Sequence, residues 1–321
     1  MTGLKDKYEG YFKIGAAVNT KTIETHAELL KTHFNSLTCE NETKFANLQR
    51  EENSFNFKRA DQIVRFAKEN GMAMRGHTFT WHNQTPAWVF EHADKEQLLE
   101  RLKHHIQIVG PRYDREFYCW DVVNEAIEDK TDTFYRVSPW SQIIGEDFMD
   151  YAFRFAREIL PNTELYYNDY NESMASKRDK IIAAVKGMQD RGVPIDGVGL
   201  QCHWSIYSPS MDTIRGAFEE YAKLGLKLQI TEMDISMFAH EDKSKVDKPT
   251  QQMLELQAER YGETFALFRE YKDIIDNVTL WGVADDATWL DHFPVPGRKN
   301  WPLLFDEQHQ PKEAYYRILD F

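Results

Sequence analysis

The sequence predicts an α/β protein built as a single (β/α)8 barrel, the TIM-barrel arrangement, and three observations predict it. Short β-type runs alternate with longer helix-type runs along the whole chain. Eight such pairs follow one another, as a closed parallel barrel requires. Polar groups suited to a site follow nearly every β-type run, whereas a doubly wound open sheet gathers its ligand at one switch point. The 321 residues exceed the roughly 250 typical of such barrels. No linker, low-complexity tract or repeat beyond the β/α rhythm divides them, so residues 1–321 read as one catalytic domain.

The elements follow in order. Residues 11–18 are the first strand, and residues 22–34 carry helical spacing. Residues 35–40 are the second strand. Residues 57–70 are its helix, with Ile63, Phe66 and Ala67 on one face and Gly71 as the stop. Strand three is 72–81. Helix three is 94–109, with Asp94 as N-cap and Gly110-Pro111 after its end. Strand four (117–123) precedes a helix at 148–160, and strand five (164–169) a helix at 176–190 that ends before Gly192. Strand six (197–203) is followed by 212–223, ending at Gly225. Strand seven (227–231) is followed by the long helix 251–271. Strand eight is 278–283, and 312–319 is the closing helix.

Composition narrows the partners. A net charge of −13 argues against nucleic acid, whose phosphates need a basic face, and against anionic membranes. Solubility is its ordinary meaning. No apolar run of about 18 residues is present to span a bilayer, and residues 1–10 carry no apolar signal segment. Cys39, Cys119 and Cys202 are an odd number of thiols inside apolar, strand-like runs. They read as reduced core cysteines, and the expected location is cytoplasmic. The sequons at Asn41, Asn83, Asn171 and Asn277 are then without meaning. The sequence specifies no oligomeric state.

A barrel of this kind carries its site at the C-terminal ends of the strands. Strand two ends toward Glu40, Asn41 and Lys44, and strand three toward His77, Trp81, His82 and Gln84. Strand four ends in Asn124 and Glu125, strand five in Asn168, Asp169 and Tyr170, and strand six in Gln201 and His203. Strand seven ends in Glu232 and Asp234. Strand eight supplies Trp281, with Trp289 in its loop.

Two glutamates stand out. Glu125 follows Val122-Val123 and Glu232 follows Leu228-Gln229-Ile230, so each ends an apolar run. Partial desolvation there tends to raise a carboxyl above about 4.3. Two carboxyls facing one sugar ring are what glycoside cleavage needs: one protonates the leaving oxygen, the other attacks or activates water. A single strand-end glutamate is as readily a rim salt bridge, but two among amides and indoles fit that role poorly. Asn41, Gln84, Asn124 and Gln201 offer amides to hydroxyls. Trp81, Trp281 and Trp289 offer flat faces to sugar C–H surfaces, whereas Trp120 and Trp204 read as core. Lys44 is open between a surface i,i+4 pair with Glu40 and a hydroxyl-binding charge in the cleft.

Residues 120–126 (Trp-Asp-Val-Val-Asn-Glu-Ala), 230–235 (Ile-Thr-Glu-Met-Asp-Ile) and 76–88 resemble hallmark motifs of the glycoside hydrolase family 10 xylanases. So do Glu40-Asn41 with Lys44, and residues 297–305. The resemblance runs from about residue 12 to 318, with the motifs in order on the expected strands. It implies a retaining endo-1,4-β-xylanase acting on xylan and xylo-oligosaccharides, without a cofactor. It implies Glu125 as acid/base and Glu232 as nucleophile, about 5 to 5.5 Å apart. Asn124 would hold the sugar 2-hydroxyl, His203 would orient Glu232 and keep it ionised, and Gln201 would support the same site. Lys44, His77 and Trp281 would surround the sugar under attack, and Glu40, Asn41, Gln84 and Trp289 the next one outward. Tyr170 would wall the aglycone side. Many relatives are secreted with carbohydrate-binding modules. With neither signal nor room for a module, this chain resembles the intracellular branch.

Other classes remain as alternatives. A metal-dependent barrel hydrolase would draw on His77, His82 and His203 with Asp169 or Glu232, but no H-x-H or H-E-x-x-H motif is present. A non-catalytic sugar-binding barrel would ordinarily have lost a glutamate. A dinucleotide site fails because Cys202 stands where a third glycine after Gly197 and Gly199 belongs. Selectivity between xylan and β-1,4-glucan stays open, since it rests on bulk near Trp289 and Gln84.

Overall fold

The structure is a computed structural model that describes residues 3–130 and 132–321. Among these, nine strands form one sheet: β1 (Lys13–Val18), β2 (Ser36–Cys39), β3 (Ala73–Trp81), β4 (Phe117–Asn124), β5 (Glu164–Asp169), β6 (Gly197–Leu200), β7 (His203–Ser205), β8 (Lys227–Ser236) and β9 (Ile275–Leu280). Each of β1 to β5 pairs in parallel with the next. β6 pairs with β8, β8 with β9, and β9 with β1, which closes the ring. β7 continues the line of β6 after a short break, so the barrel has the eight-fold closure that the β/α rhythm predicts.

The strands are buried almost throughout because helices cover them outside and side chains fill them inside. The covering helices are amphipathic. Lys58–Glu69 turns Ala60, Ile63, Val64 and Ala67 inward, and Phe148–Ile159 turns Phe148, Met149, Ala152, Phe153 and Ala156 inward. Asp94 caps its helix as expected, its side chain accepting from the Gln97 N–H at 2.9 Å. Trp120 and Trp204 are buried, as core residues should be.

Several elements differ from expectation, the last strand among them, which runs Ile275–Leu280 rather than 278–283. The first helix is two pieces, Thr22–Thr25 and Ala27–His33, parted at His26. The third helix does not stop before Gly110-Pro111 but runs from Lys95 to Tyr113. A proline there removes one helical bond. The last turn is held instead by Tyr113, buried against Phe117 with ring centroids 4.9 Å apart and donating its hydroxyl to Asp61 at 2.9 Å. Finally, β8 extends to Ser236 rather than ending at Thr231, because Met233 and Ile235 continue the apolar alternation.

The extension of β8 is bulged. Met233 lies three positions beyond Ile230, while their partners Val278 and Leu280 are two positions apart. On the other edge Asp234 lies four positions beyond Ile230, while His203 lies three positions beyond Leu200. Both edges therefore count one extra residue in β8, in the stretch that contains Glu232. Bulges re-aim side chains next to active sites, and here the bulge sets His203 opposite Asp234.

Close approach inside the barrel depends on small residues. A Cβ on Gly76 would lie 2.0 Å from the Trp120 ring, and one on Gly199 would lie 2.4 Å from Asn168 Oδ1. Gly76→Ala should therefore overpack the β3–β4 contact and cost about 1–3 kcal/mol. Chemical denaturation checks this: a midpoint equal to the wild type's would mean that Trp120 has room to move aside.

Candidate active site

The C-terminal ends of the strands gather the polar residues singled out above. Glu232 is 5% exposed. Its Oε1 accepts from Asn168 Nδ2 at 2.7 Å, and its Oε2 lies 3.3 Å from His203 Nε2. Burial pushes the Glu232 carboxyl up. The His203 hydrogen bond and the charges of His77, His203 and Lys44 outweigh it, and the net direction is down. On its other side, His203 places Nδ1 3.0 Å from Asp234 Oδ1, out of line for a hydrogen bond, so that contact is charge attraction. Burial pulls the His203 pKa down, but Asp234 first and then Glu232 push it up to about 10. The second Asp234 oxygen accepts from Trp289 Nε1 at 2.7 Å.

Glu125 stands at the end of β4 with φ 56°, a left-handed conformation that costs a non-glycine residue on the order of 1 kcal/mol. Its backbone is held from both sides: its N–H donates to the Asn168 carbonyl at 2.9 Å, and its own carbonyl accepts from Arg136 Nε at 2.9 Å. The side chain then faces the cleft, where Trp81 Nε1 donates to Oε2 at 2.9 Å and Gln201 Nε2 to Oε1 at 3.1 Å. Asn124 Oδ1 accepts from Asn168 Nδ2 at 2.9 Å and Gln201 Nε2 at 3.2 Å, leaving its amide nitrogen 3.3 Å from Glu125 Oε1. The reverse amide orientation would set its nitrogen against those two donors. A chain of two amides, Asn124 and Asn168, thus joins Glu125 to Glu232.

The neighbouring wall comes from the loops after β2 and β3. Lys44 is buried rather than a surface partner of Glu40. It donates to Asn41 Oδ1 at 3.1 Å and lies 4.8 Å from the Trp81 ring. Burial pulls its ammonium down against the raising charges of Glu232, Glu40, Glu125 and Glu42. Gln84 donates to the same Asn41 oxygen at 3.3 Å, and Glu40 accepts from Asn19 Nδ2 at 3.1 Å. His77 Nδ1 meets Asp121 Oδ2 at 2.9 Å and packs edge-on to Trp281 at 5.5 Å. Asp121 in turn is bidentate with Arg75 inside the barrel, at 2.7 and 3.3 Å.

Tyr170 lies apart from this cluster, tied to it through Arg136, which donates to its hydroxyl at 2.7 Å. The Tyr170 hydroxyl donates to Asp129, and Lys177 sits 4.4 Å from its ring. The imagined metal set of His77, His82, His203 and Asp169 or Glu232 does not converge. Asp169 pairs with Lys177 at 3.2 Å, and burial holds the His82 pKa down to about 4. Among the described residues, one group brings three such ligand atoms within 4.8 Å, and it lies elsewhere.

Four positioning residues carry no role in the sequence reading: Asn168, Asp234, Arg136 and Asp121. Asp234 was legible in principle, lying two residues beyond Glu232 on the same strand face. Arg136 was not, because it reaches Glu125 from a loop eleven residues on in the chain.

A barrel mouth with two glutamates joined by amides and walled by indoles defines a carboxylate-based glycoside hydrolase. The sequence profile described as Glycosyl hydrolase family 10 matches residues 3–321, and the chain belongs to that family. It is 51% identical over 325 aligned residues to an endo-1,4-beta-xylanase of Geobacillus stearothermophilus, covering 99% of this chain and 98% of that one. The solved structure of xylanase XynB from Paenibacillus barcinonensis, complexed with a conduramine derivative, superposes with TM-score 0.98 at 50% identity, covering 99% and 98%. A mutant structure in complex with xylotriose superposes with TM-score 0.98 at 49% identity, covering both chains completely.

The His203 shift has a thermodynamic consequence. Its folded-state pKa of about 10 exceeds the ordinary value of about 6.5. The stabilising contribution is therefore complete below pH about 6.5 and is lost as pH rises through about 10. His203→Asn should flatten the decline in stability across that window, which is at most about 1.4 kcal/mol per pH unit for one proton. Urea midpoints measured against pH test it, and an unchanged slope in the variant would assign the decline to other groups.

Proposed function

We propose that this chain is a retaining endo-1,4-β-xylanase that cleaves xylan and xylo-oligosaccharides by double displacement. The observation that carries the reading is the pair Glu125 and Glu232, linked through Asn124 and Asn168 at the mouth of a family 10 barrel. The high identity to named xylanases over the whole chain supports the substrate.

In this reading Glu232 attacks the anomeric carbon. Its net downward pKa keeps it ionised, and the protonated His203 beside it balances its charge. Asn168 occupies one Glu232 oxygen, which leaves the other carboxylate oxygen, beside His203, to form the new bond. Glu125 delivers its proton to the glycosidic oxygen as that bond breaks. Trp81 and Gln201 hold its two oxygens in place. Glu125 then removes a proton from water, which attacks the glycosyl-enzyme and releases Glu232. Asn124 holds the 2-hydroxyl. Lys44, His77 and Trp281 enclose the sugar under attack, and Glu40, Asn41, Gln84 and Trp289 take the next one. Tyr170, locked by Arg136 and Asp129, walls the leaving side. A cytoplasmic location has the support of three buried, unpaired thiols.

Proton NMR of xylo-oligosaccharide cleavage tests the mechanism, and β-anomeric product should appear first. Early α-anomer would mean inversion and would remove Glu232 from the nucleophile role. Glu232→Gln should lower turnover by roughly a thousandfold or more. Glu125→Ala should lose xylan cleavage yet retain activity on aryl xylosides with good leaving groups. Equal loss on both substrates would sink the acid assignment.

A further inference from the structure

The loops at the seam where the barrel closes bring His26, Asp286 and His309 together, with ligand atoms all within 4.8 Å of one another. Asp286 Oδ1 lies 2.8 Å from His26 Nε2 and 3.5 Å from His309 Nε2. The two imidazole rings are 4.2 Å apart between centroids. Three separate parts of the chain meet here. His26 parts the two helical pieces after β1, Asp286 follows β9, and His309 sits in the turn before the closing helix with φ 62°.

We propose that these three side chains form a structural site for a borderline transition-metal ion, zinc(II) being the representative. Two imidazole nitrogens and one carboxylate oxygen are the donor set that zinc takes, with water completing a tetrahedron. Bonds of about 2.0–2.2 Å set tetrahedral ligands about 3.4 Å apart. The separations of 2.8 and 3.5 Å bracket that value, so small side-chain rotations admit the ion. His26 is buried, and its other ring nitrogen lies 2.7 Å from Thr25 Oγ1, an outer partner that fixes the ring with Nε2 toward the gap. Asp286 and His309 are each about a third exposed, which gives the ion a path from solvent. None of the three touches Glu125 or Glu232, so the ion would tie the first β/α unit to the last without entering the chemistry.

The test uses the full chain, stripped with chelator. Calorimetric titration with zinc(II), and the visible spectrum of cobalt(II), should report one ion per chain with nitrogen ligation. At a hundredfold excess over Kd, Tm should rise by about 4 °C. His309→Asn, which tolerates the left-handed backbone, and Asp286→Asn should each weaken binding by at least about tenfold. His92→Gln, at an exposed histidine outside the cluster, should leave it unchanged. Absence of stoichiometric binding, or binding indifferent to both cluster substitutions, overturns the site. Xylo-oligosaccharide turnover should be equal with and without the ion, and a rate that requires it overturns the structural role.

Discussion

A carboxylate that stays charged where water hardly reaches needs partners on several sides, and this requirement organises the barrel around Glu232. Removing such an ion from water costs several kcal/mol unless its partners are well placed. The partners come from four directions. Asn168 donates from β5, His203 from β7, and charge arrives from His77 on β3 and from Lys44 in the loop after β2. Asp234 adds its charge behind His203, from the same strand as Glu232. The bulge in β8 makes this possible, since one extra residue sets Asp234 across from His203 while Glu232 still faces the cleft. Gly199 completes the arrangement by leaving room for Asn168, whose Oδ1 accepts from Thr231 at 2.6 Å and so turns its Nδ2 toward Glu232.

The same logic recurs one layer deeper. Arg75 and Asp121 are fully buried and would be costly alone. Asp121 spends its oxygens on Arg75 and on His77, while Arg75 also donates to Gln229 at 2.5 Å. Burial pushes the Asp121 carboxyl up, but Arg75 and His77 hold it below the ordinary carboxylate range. The result is a rigid mount for His77, which fixes the edge of Trp281. The polar interior of this barrel is thus connected to its mouth rather than being an independent core.

How much of this was legible follows from what sequence patterns can carry. The eight-fold β/α rhythm is a local, repeated signal, and the closed ring conforms to it. Glu125 just past β4 and Glu232 within β8 were visible because each follows an apolar run that reads as a strand end, where such barrels keep their chemistry. What escaped was long-range or geometric. Gly110-Pro111 reads locally as a stop, yet the burial of Tyr113 carries the helix through it. Lys44 is open between a surface pair with Glu40 and a charge in the cleft until the fold buries it beside Trp81. The β8 bulge has no glycine or proline to announce it, and only the neighbours' registers on both edges reveal it.

The two glutamates are mounted differently, and the difference suits the tasks proposed for them. Glu232 lies in the bulge of a strand paired on both sides, its N–H donating to the Gln201 carbonyl at 3.2 Å. Glu125 lies just past the end of β4 in a left-handed conformation, held by the Asn168 carbonyl and by Arg136. A nucleophile must meet one carbon along one line, which suits a rigid mount. An acid that later serves as a base must reach a leaving oxygen in one step and a water in the next. Arg136 joins that second mount to Tyr170 and Asp129, so the wall and the acid proposed for the departing sugar share one set of contacts. In the proposed mechanism, displacing Tyr170 would therefore disturb proton delivery as well as binding, through Arg136 on the Glu125 carbonyl rather than through a direct bond to its carboxylate.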